Sequence, residues 1–187
     1  AGNREFIASD AWTKRLDPGW AAAAGVTAAS LGKSGYVGPP TPYEGRYGLY
    51  RVYLRHEVTA QDLEMVTAGL GQAWQFGALS LKTLPSCYFN HPLINSTIAI
   101  MNRHDLVPGS IRSICVYLPR AAIDTVCEPS APKYAPADLA TALFSVYYNV
   151  ASAAIRRRLT LDELQAEALK DPDVAGLGRR VAYAIDA

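Results

Sequence analysis

The chain is short of cysteine, of any surplus of charge and of long unbroken apolar runs. Cysteine occurs three times in 187 residues, as Cys87, Cys115 and Cys127, with no C-x-x-C spacing. An odd, scattered set argues against a disulfide framework and for a reducing compartment, with the cytosol as the default. The formal net charge is +1, with basic and acidic residues interspersed. That balance offers no electrostatic grip on nucleic acid or on an anionic membrane. The most apolar long helix, Leu139 to Ile155, carries Ser145, two tyrosines and Asn149, and is bordered by Asp138 and Arg156. It falls short of the ~20 residues a membrane span needs and reads as a buried core helix. No cationic segment precedes an apolar run at the N-terminus, so no secretion signal is visible.

Half of the residues are apolar, enough for a full core in one domain or two small ones. Residues 9 to 16 read as a short helix ended by Asp17-Pro18-Gly19, with Asp17 capping a second, alanine-rich helix that starts at Pro18 and runs towards Gly35. GYVGPPTPYEG is turn and extended chain, and GRYGLYRVYL a short aromatic helix able to pack under it. Thr59 and Asp62 form a capping box for a helix ending at Gly69 or Gly71. From Trp74 the pattern predicts short strands over Phe76 to Lys82, Ile111 to Leu118 and Val181 to Asp186, the last being the cleanest alternation. Between the second strand and the long helix lies the proline-rich CEPSAPKYAPAD. Beyond the helix, Arg156 to Arg158 favour its C-terminal end, Thr160 and Glu163 make a second capping box, and Asp171-Pro172 starts one more helix. Helices first, then a small sheet with helices packed on it, predicts an α+β fold that is mainly helical, with a domain boundary near residue 72.

The densest chemistry lies in KTLPSCYFNHPLIN, Lys82 to Asn95. It places a lysine, a cysteine and a histidine around a proline break. Pro85 ends an extended segment, and from Pro92 the spacing of Leu93, Ile94, Thr97, Ile98 and Met101 is helical. Free amides in that helix's first turn, with Lys82 close by, make the loop a candidate anion site. Cys87 and His91 stand four apart without a second pair, so they do not complete a tetrahedral metal site.

This stretch resembles the K-x-Y-P-x-C-x-x-x-H-P-x-I-D signature of the MmgE/PrpD family, which includes 2-methylcitrate dehydratase, cis-aconitate decarboxylase and iminodisuccinate epimerase. Two further stretches agree in order, AWTKRLDPGWAAAAGVTAASLGKSGYVGPPTPYEGRYGLYRVYL before it and KYAPADLATALFSVYYNVASAAI after it. The resemblance implies the end of a helical domain over 1–72, then a small α/β lid domain over 73–187 that closes on the active-site cleft. It also implies dehydration, decarboxylation or epimerisation of a small polycarboxylate by acid-base chemistry, without metal or organic cofactor, in a homodimer. Family members are much longer, and their N-terminal helical region supplies a histidine and an aspartate cluster. A chain that starts at Ala1 and stops on the strand-like VAYAIDA is therefore expected to be a trimmed or cleaved product, or one half of a split protein.

By that resemblance Lys14, Lys82 and Tyr148 are the candidate catalytic residues, and Cys87 and His91 the candidate substrate-binding ones. Lys14 and Lys82 would hold a carboxylate or a developing enolate, and the Tyr148 phenol would donate a hydrogen bond. Asp17 stands where the family pattern has a histidine. The same side chains have ordinary readings: a solvated cation for each lysine, a loop-capping hydrogen bond for His91, and a place in the helix core for Tyr148. His56 and His104 have no motif around them and are expected at the surface. Two other functional readings follow: a non-catalytic or split subunit that completes an active site with a partner chain, and a retuned biosynthetic enzyme acting on a less polar substrate, which the tyrosine-rich PYEGRYGLYRVYL would suit.

Overall fold

A computed structural model of the chain describes residues 11–54 and 58–186. The chain divides into two compact units, one of Ala1–Asp17 with Lys82–Ala187 and one of Pro18–Leu81. His56 lies outside the described residues, as does the start of the helix expected from residue 9.

Helix α1, Thr13–Lys33, starts in the first unit and continues into the second with Pro18 inside it. The expected stop at Asp17-Pro18-Gly19 is therefore corrected to one continuous helix. Proline's fixed φ suits a helix, so the loss is one backbone bond and some crowding of the Lys14 carbonyl. The alanine run that follows has the best helix propensity of any composition.

In the second unit, α2 is Leu49–Tyr53 and α3 is Ala60–Thr67, the latter opened by the expected Thr59–Asp62 capping box. The Asp62 carboxylate accepts from the Thr59 amide at 2.9 Å, and the Thr59 hydroxyl accepts from the Asp62 amide at 3.2 Å. Gly69 and Gly71, at φ +76° and +77°, turn the chain after α3. Gly48 is required by close approach, because a Cβ there would sit 2.5 Å from the Tyr43 carbonyl oxygen. That approach brings the Tyr43 and Tyr50 rings to 5.9 Å. None of α1, α2 and α3 buries a residue. The strand expected over Phe76 to Lys82 is not formed. Gln75–Ala78 is a 3-10 turn followed by irregular chain, and Phe76 and Leu81 are 83% and 89% exposed. Alternation alone does not make a strand without a ladder partner.

The first unit holds the core. Its elements are α4 (His91–Arg103), β1 (Ile114–Leu118), α5 (Arg120–Ala122) running into a π-helical turn at Ile123–Cys127, α6 (Ser130–Tyr134), α7 (Leu139–Leu143), α8 (Val146–Arg156), α9 (Ala166–Leu169), α10 (Pro172–Gly178) and β2 (Val181–Ile185). The fold is α+β and mainly helical. The two strands pair in parallel, Ile114 opposite Val181 and Leu118 opposite Ile185. A parallel pair needs a long crossover, which α5 to α10 supply. One sheet face is covered, with Val116 and Leu118 buried, while Cys115 and Tyr117 on the other are exposed.

The sheet packs on α8, whose residues Val146 to Ala154 are all buried. Each large apolar side chain taken from water there contributes about 1.5–3 kcal/mol. The predicted long helix is two helices. The Ser145 hydroxyl accepts from the Tyr148 amide at 2.9 Å, capping α8. The Asn149 amide group donates to the Ala142 carbonyl at 2.8 Å, holding the end of α7. Arg157, at φ +54°, ends α8 in a left-handed cap. Three arginines then fasten neighbours to that end: Arg156 pairs with Asp171 at 2.7 Å, Arg157 with Asp105 at 2.9 Å and Arg158 with Glu163 at 2.8 Å.

The Glu163 side chain is fully buried and also accepts from the Thr160 amide and hydroxyl, each at 2.7 Å. The segment it closes is a 3-10 turn, Asp162–Leu164, rather than the capped α-helix expected from T-x-x-E. Burial pushes this carboxyl up, yet the bonds from Thr160 and Arg158 outweigh it and hold the group below its ordinary range. The folded state therefore binds this proton less readily than the unfolded chain. Its contribution is present above the unfolded value and is lost as pH falls through the lower folded one. Glu163→Gln is expected to cost about 1–3 kcal/mol at neutral pH and to flatten the acid limb of stability, measured by denaturant unfolding at neutral pH and near pH 3. The Tyr148 hydroxyl donates to the buried Glu163 carbonyl at 2.5 Å. Tyr148→Phe leaves that carbonyl short of a donor and is expected to lower stability by about 1–2 kcal/mol in the same assay.

Candidate active site

A cavity of about 660 Å³ opens in the first unit. Four segments build it: the start of α1 with Lys14 and Arg15, the loop Lys82 to Cys87, the α7 end with Leu143 and Phe144, and the chain after α8 from Leu159 to Leu161. Lys14 thus meets Lys82 and Cys87 at one cavity although it lies far from them in sequence. The Lys14 ammonium lies 5.7 Å from the centre of the Phe144 ring, a cation-π contact that holds the start of α1 against the cavity wall.

The Lys82 to Cys87 loop takes its shape from backbone accounting. Leu143 ends α7, so its carbonyl has no partner further along a helix. It accepts instead from the Cys87 amide at 2.9 Å and from the Ser86 hydroxyl at 3.2 Å. The buried Asn90 donates its side-chain amide to the same hydroxyl at 3.1 Å. The Ser86 carbonyl meets both Lys82 Nζ at 3.5 Å and His91 Nε2 at 3.3 Å. That bond to a carbonyl requires the imidazole hydrogen on Nε2. His91 is buried, does not line the cavity and fixes the loop from behind. The amides expected to face an anion at the start of α4 are engaged in a 3-10 turn, Asn90 to the Cys87 carbonyl and His91 to that of Tyr88, and Pro92 has none. The expectation that these two amides are free to face an anion is corrected accordingly.

Tyr148 is buried in the core, its hydroxyl donating to the carbonyls of Glu163 and Ala168, and it is absent from the cavity lining. Burial raises its phenol's pKa. His104 is exposed. Sequence reasoning missed Arg15 and the Leu159 to Leu161 wall. Arg15 directly follows Lys14 in TKR, a signal within reach; no motif marks Leu159 to Leu161. It also missed Lys133, an almost fully buried ammonium that donates to the Thr125 and Glu128 carbonyls at 2.8 Å each, holding the π-helical turn and the chain after it. Burial lowers its pKa, with the nearby thiols and the Glu128 carboxylate opposing.

Three cations face the cavity, and no carboxylate is among its described lining residues. Such a site attracts and orients anions, and where negative charge develops it lowers the barrier electrostatically. Among the described residues, no group of three His, Cys, Asp or Glu could hold a metal ion, and no helix is long and apolar enough to cross a membrane. The cysteines are free and differ in setting: Cys115 exposed, Cys87 part-buried on the cavity, Cys127 buried with its thiol pushed up to about 11 mainly by that burial. Iodoacetamide near pH 8 is expected to label Cys115 first, Cys87 more slowly and Cys127 only on unfolding, with polycarboxylates protecting Cys87 alone, read by peptide mass mapping.

No curated protein matches the chain. Two family profiles do: the MmgE/PrpD N-terminal domain matches residues 1–61, and the MmgE/PrpD C-terminal domain matches residues 84–187. The second alone spans more than half of the sequence and contains most of the cavity, and on that match the chain belongs to the MmgE/PrpD family.

Proposed function

We propose that this chain forms part of an enzyme that dehydrates, decarboxylates or epimerises a small polycarboxylate by acid-base chemistry, a lyase or isomerase of the MmgE/PrpD type. The observation that carries the reading is the convergence of Lys14, Arg15 and Lys82 on one cavity. All three reactions build negative charge beside an existing carboxylate. Ammonium and guanidinium groups gathered beside a partly apolar wall stabilise that charge. Lys82 and Lys14 hold carboxylate oxygens and the developing enolate, and Arg15 adds a planar donor fork suited to a carboxylate. Cys87 lines the cavity as a small polarisable contact.

Proton transfer at carbon needs a base, and the described lining offers neither carboxylate nor imidazole. That absence favours a shared site, in which the proton-moving group comes from another surface: a second copy in a homodimer, or a complementary chain carrying the helical region. The domain scheme read from the sequence, a helical part over 1–72 and a lid over 73–187, is part of this proposal. So is a cytosolic setting, which the three free cysteines support.

Lys82→Met on the intact protein is expected to lower kcat/KM for its polycarboxylate substrate by about 10²-fold or more, while Lys82→Arg retains part of the activity. The variant side chain is exposed, so the fold should survive. Unchanged affinity and turnover in Lys82→Met would mean that this loop binds no anion.

A further inference from the structure

The cavity that carries the cations is otherwise walled largely by hydrocarbon. Leu84, Leu143, Phe144, Leu159 and Leu161 line the same space as Lys14, Arg15 and Lys82. At about 660 Å³ it sits within the roughly 300–1,000 Å³ typical of ligand pockets. A ligand charged on every side would satisfy the cations but would press solvated carboxylates against five apolar side chains, at a desolvation cost with no compensating bond. An apolar ligand without charge would make no use of the cationic side chains in the lining. The lining suits a molecule with both characters.

Resting on the proposed function, we infer that the acid taken by this cavity carries a hydrocarbon chain of several carbons beside its carboxylates. The carboxylates lie at Lys14, Arg15 and Lys82, and the chain runs along Leu143, Leu159 and Leu161. Leu159 is 3% exposed and Leu161 is 67% exposed, so this wall extends from the buried interior to open solvent. A chain laid along it covers the exposed end. Leu143 has a second duty, since its carbonyl fixes the Lys82 to Cys87 loop. The apolar wall and the cationic loop are therefore built on one residue, which sets the distance between the two ends of the ligand.

The test is calorimetric titration of the intact protein with methylsuccinate, hexylsuccinate and hexanol. Each methylene moved from water to hydrocarbon is worth about fourfold in affinity, so hexylsuccinate is expected to bind at least about tenfold tighter than methylsuccinate even if only part of the chain is covered. Hexanol is expected to bind far more weakly than hexylsuccinate. Leu143→Asn should narrow the gap between the two succinates. Leu161→Ser, at an exposed position that spares the fold, should do the same. Equal affinity for both succinates, each still weakened by Lys82→Met, would overturn the chain-binding inference and leave the anion site standing. Hexanol binding as tightly as hexylsuccinate, or no effect of Lys82→Met on either succinate, would overturn both.

Discussion

The break between α7 and α8 is the constraint on which the cavity depends. The run from Leu139 to Ile155 has the apolar character of one buried helix, and two polar side chains inside it stop that helix from forming unbroken. Ser145 turns its hydroxyl to the α8 amides, and Asn149 reaches back to the Ala142 carbonyl. With the ladder interrupted, the Leu143 carbonyl is left to the Cys87 amide and the Ser86 hydroxyl. A local capping preference thus becomes a long-range tether: it presents Leu143 and Phe144 to the cavity and holds the lysine-bearing loop beside them. An unbroken helix would satisfy its own carbonyl and release the loop.

The far end of α8 shows the same economy. Three consecutive arginines follow the buried helix, and each leaves in a different direction, to the α10 cap at Asp171, to Asp105 beyond α4, and to the buried Glu163. The left-handed conformation of Arg157 makes this divergence possible, because it takes the chain out of helical register between its neighbours. Surface pairs of this kind contribute little singly. The Glu163 contact is different, since its carboxylate is fully buried and shares its oxygens with Thr160. It fixes the start of the Thr160-Leu161 stretch that walls the cavity.

Local signals in the sequence were legible, and signals that depend on distant partners were not. The Thr59–Asp62 box, the helix from His91 to Arg103, the Asp171-Pro172 start and both paired strands follow from caps, periodicity and proline placement. Phe76 to Lys82 alternates like a strand but meets no ladder partner. Asp17-Pro18 reads as a stop, yet the alanine run carries the helix through it. Lys14, Lys82 and Cys87, singled out by the family signature, line one cavity, because a motif records which residues meet without showing how. Tyr148 matched a motif position as well, but a tyrosine on a fully buried helix must spend its hydroxyl inside the core. Arg15 was within reach beside Lys14 in TKR, whereas no spacing marks the Leu159 to Leu161 wall, which comes from the tertiary path of the chain.

The second unit has a consequence for how the protein behaves in solution. From Pro18 to Leu81 its helices bury no side chain, and Trp20, Tyr47, Trp74, Phe76 and Leu81 all stand more than 60% exposed. A chain with a net charge of +1 has almost no mutual repulsion to keep such surfaces apart. Colloidal behaviour is then governed by aromatic stickiness, and the concentration at which the isolated chain stays dispersed should depend far more on mild detergents or chaotropes than on salt.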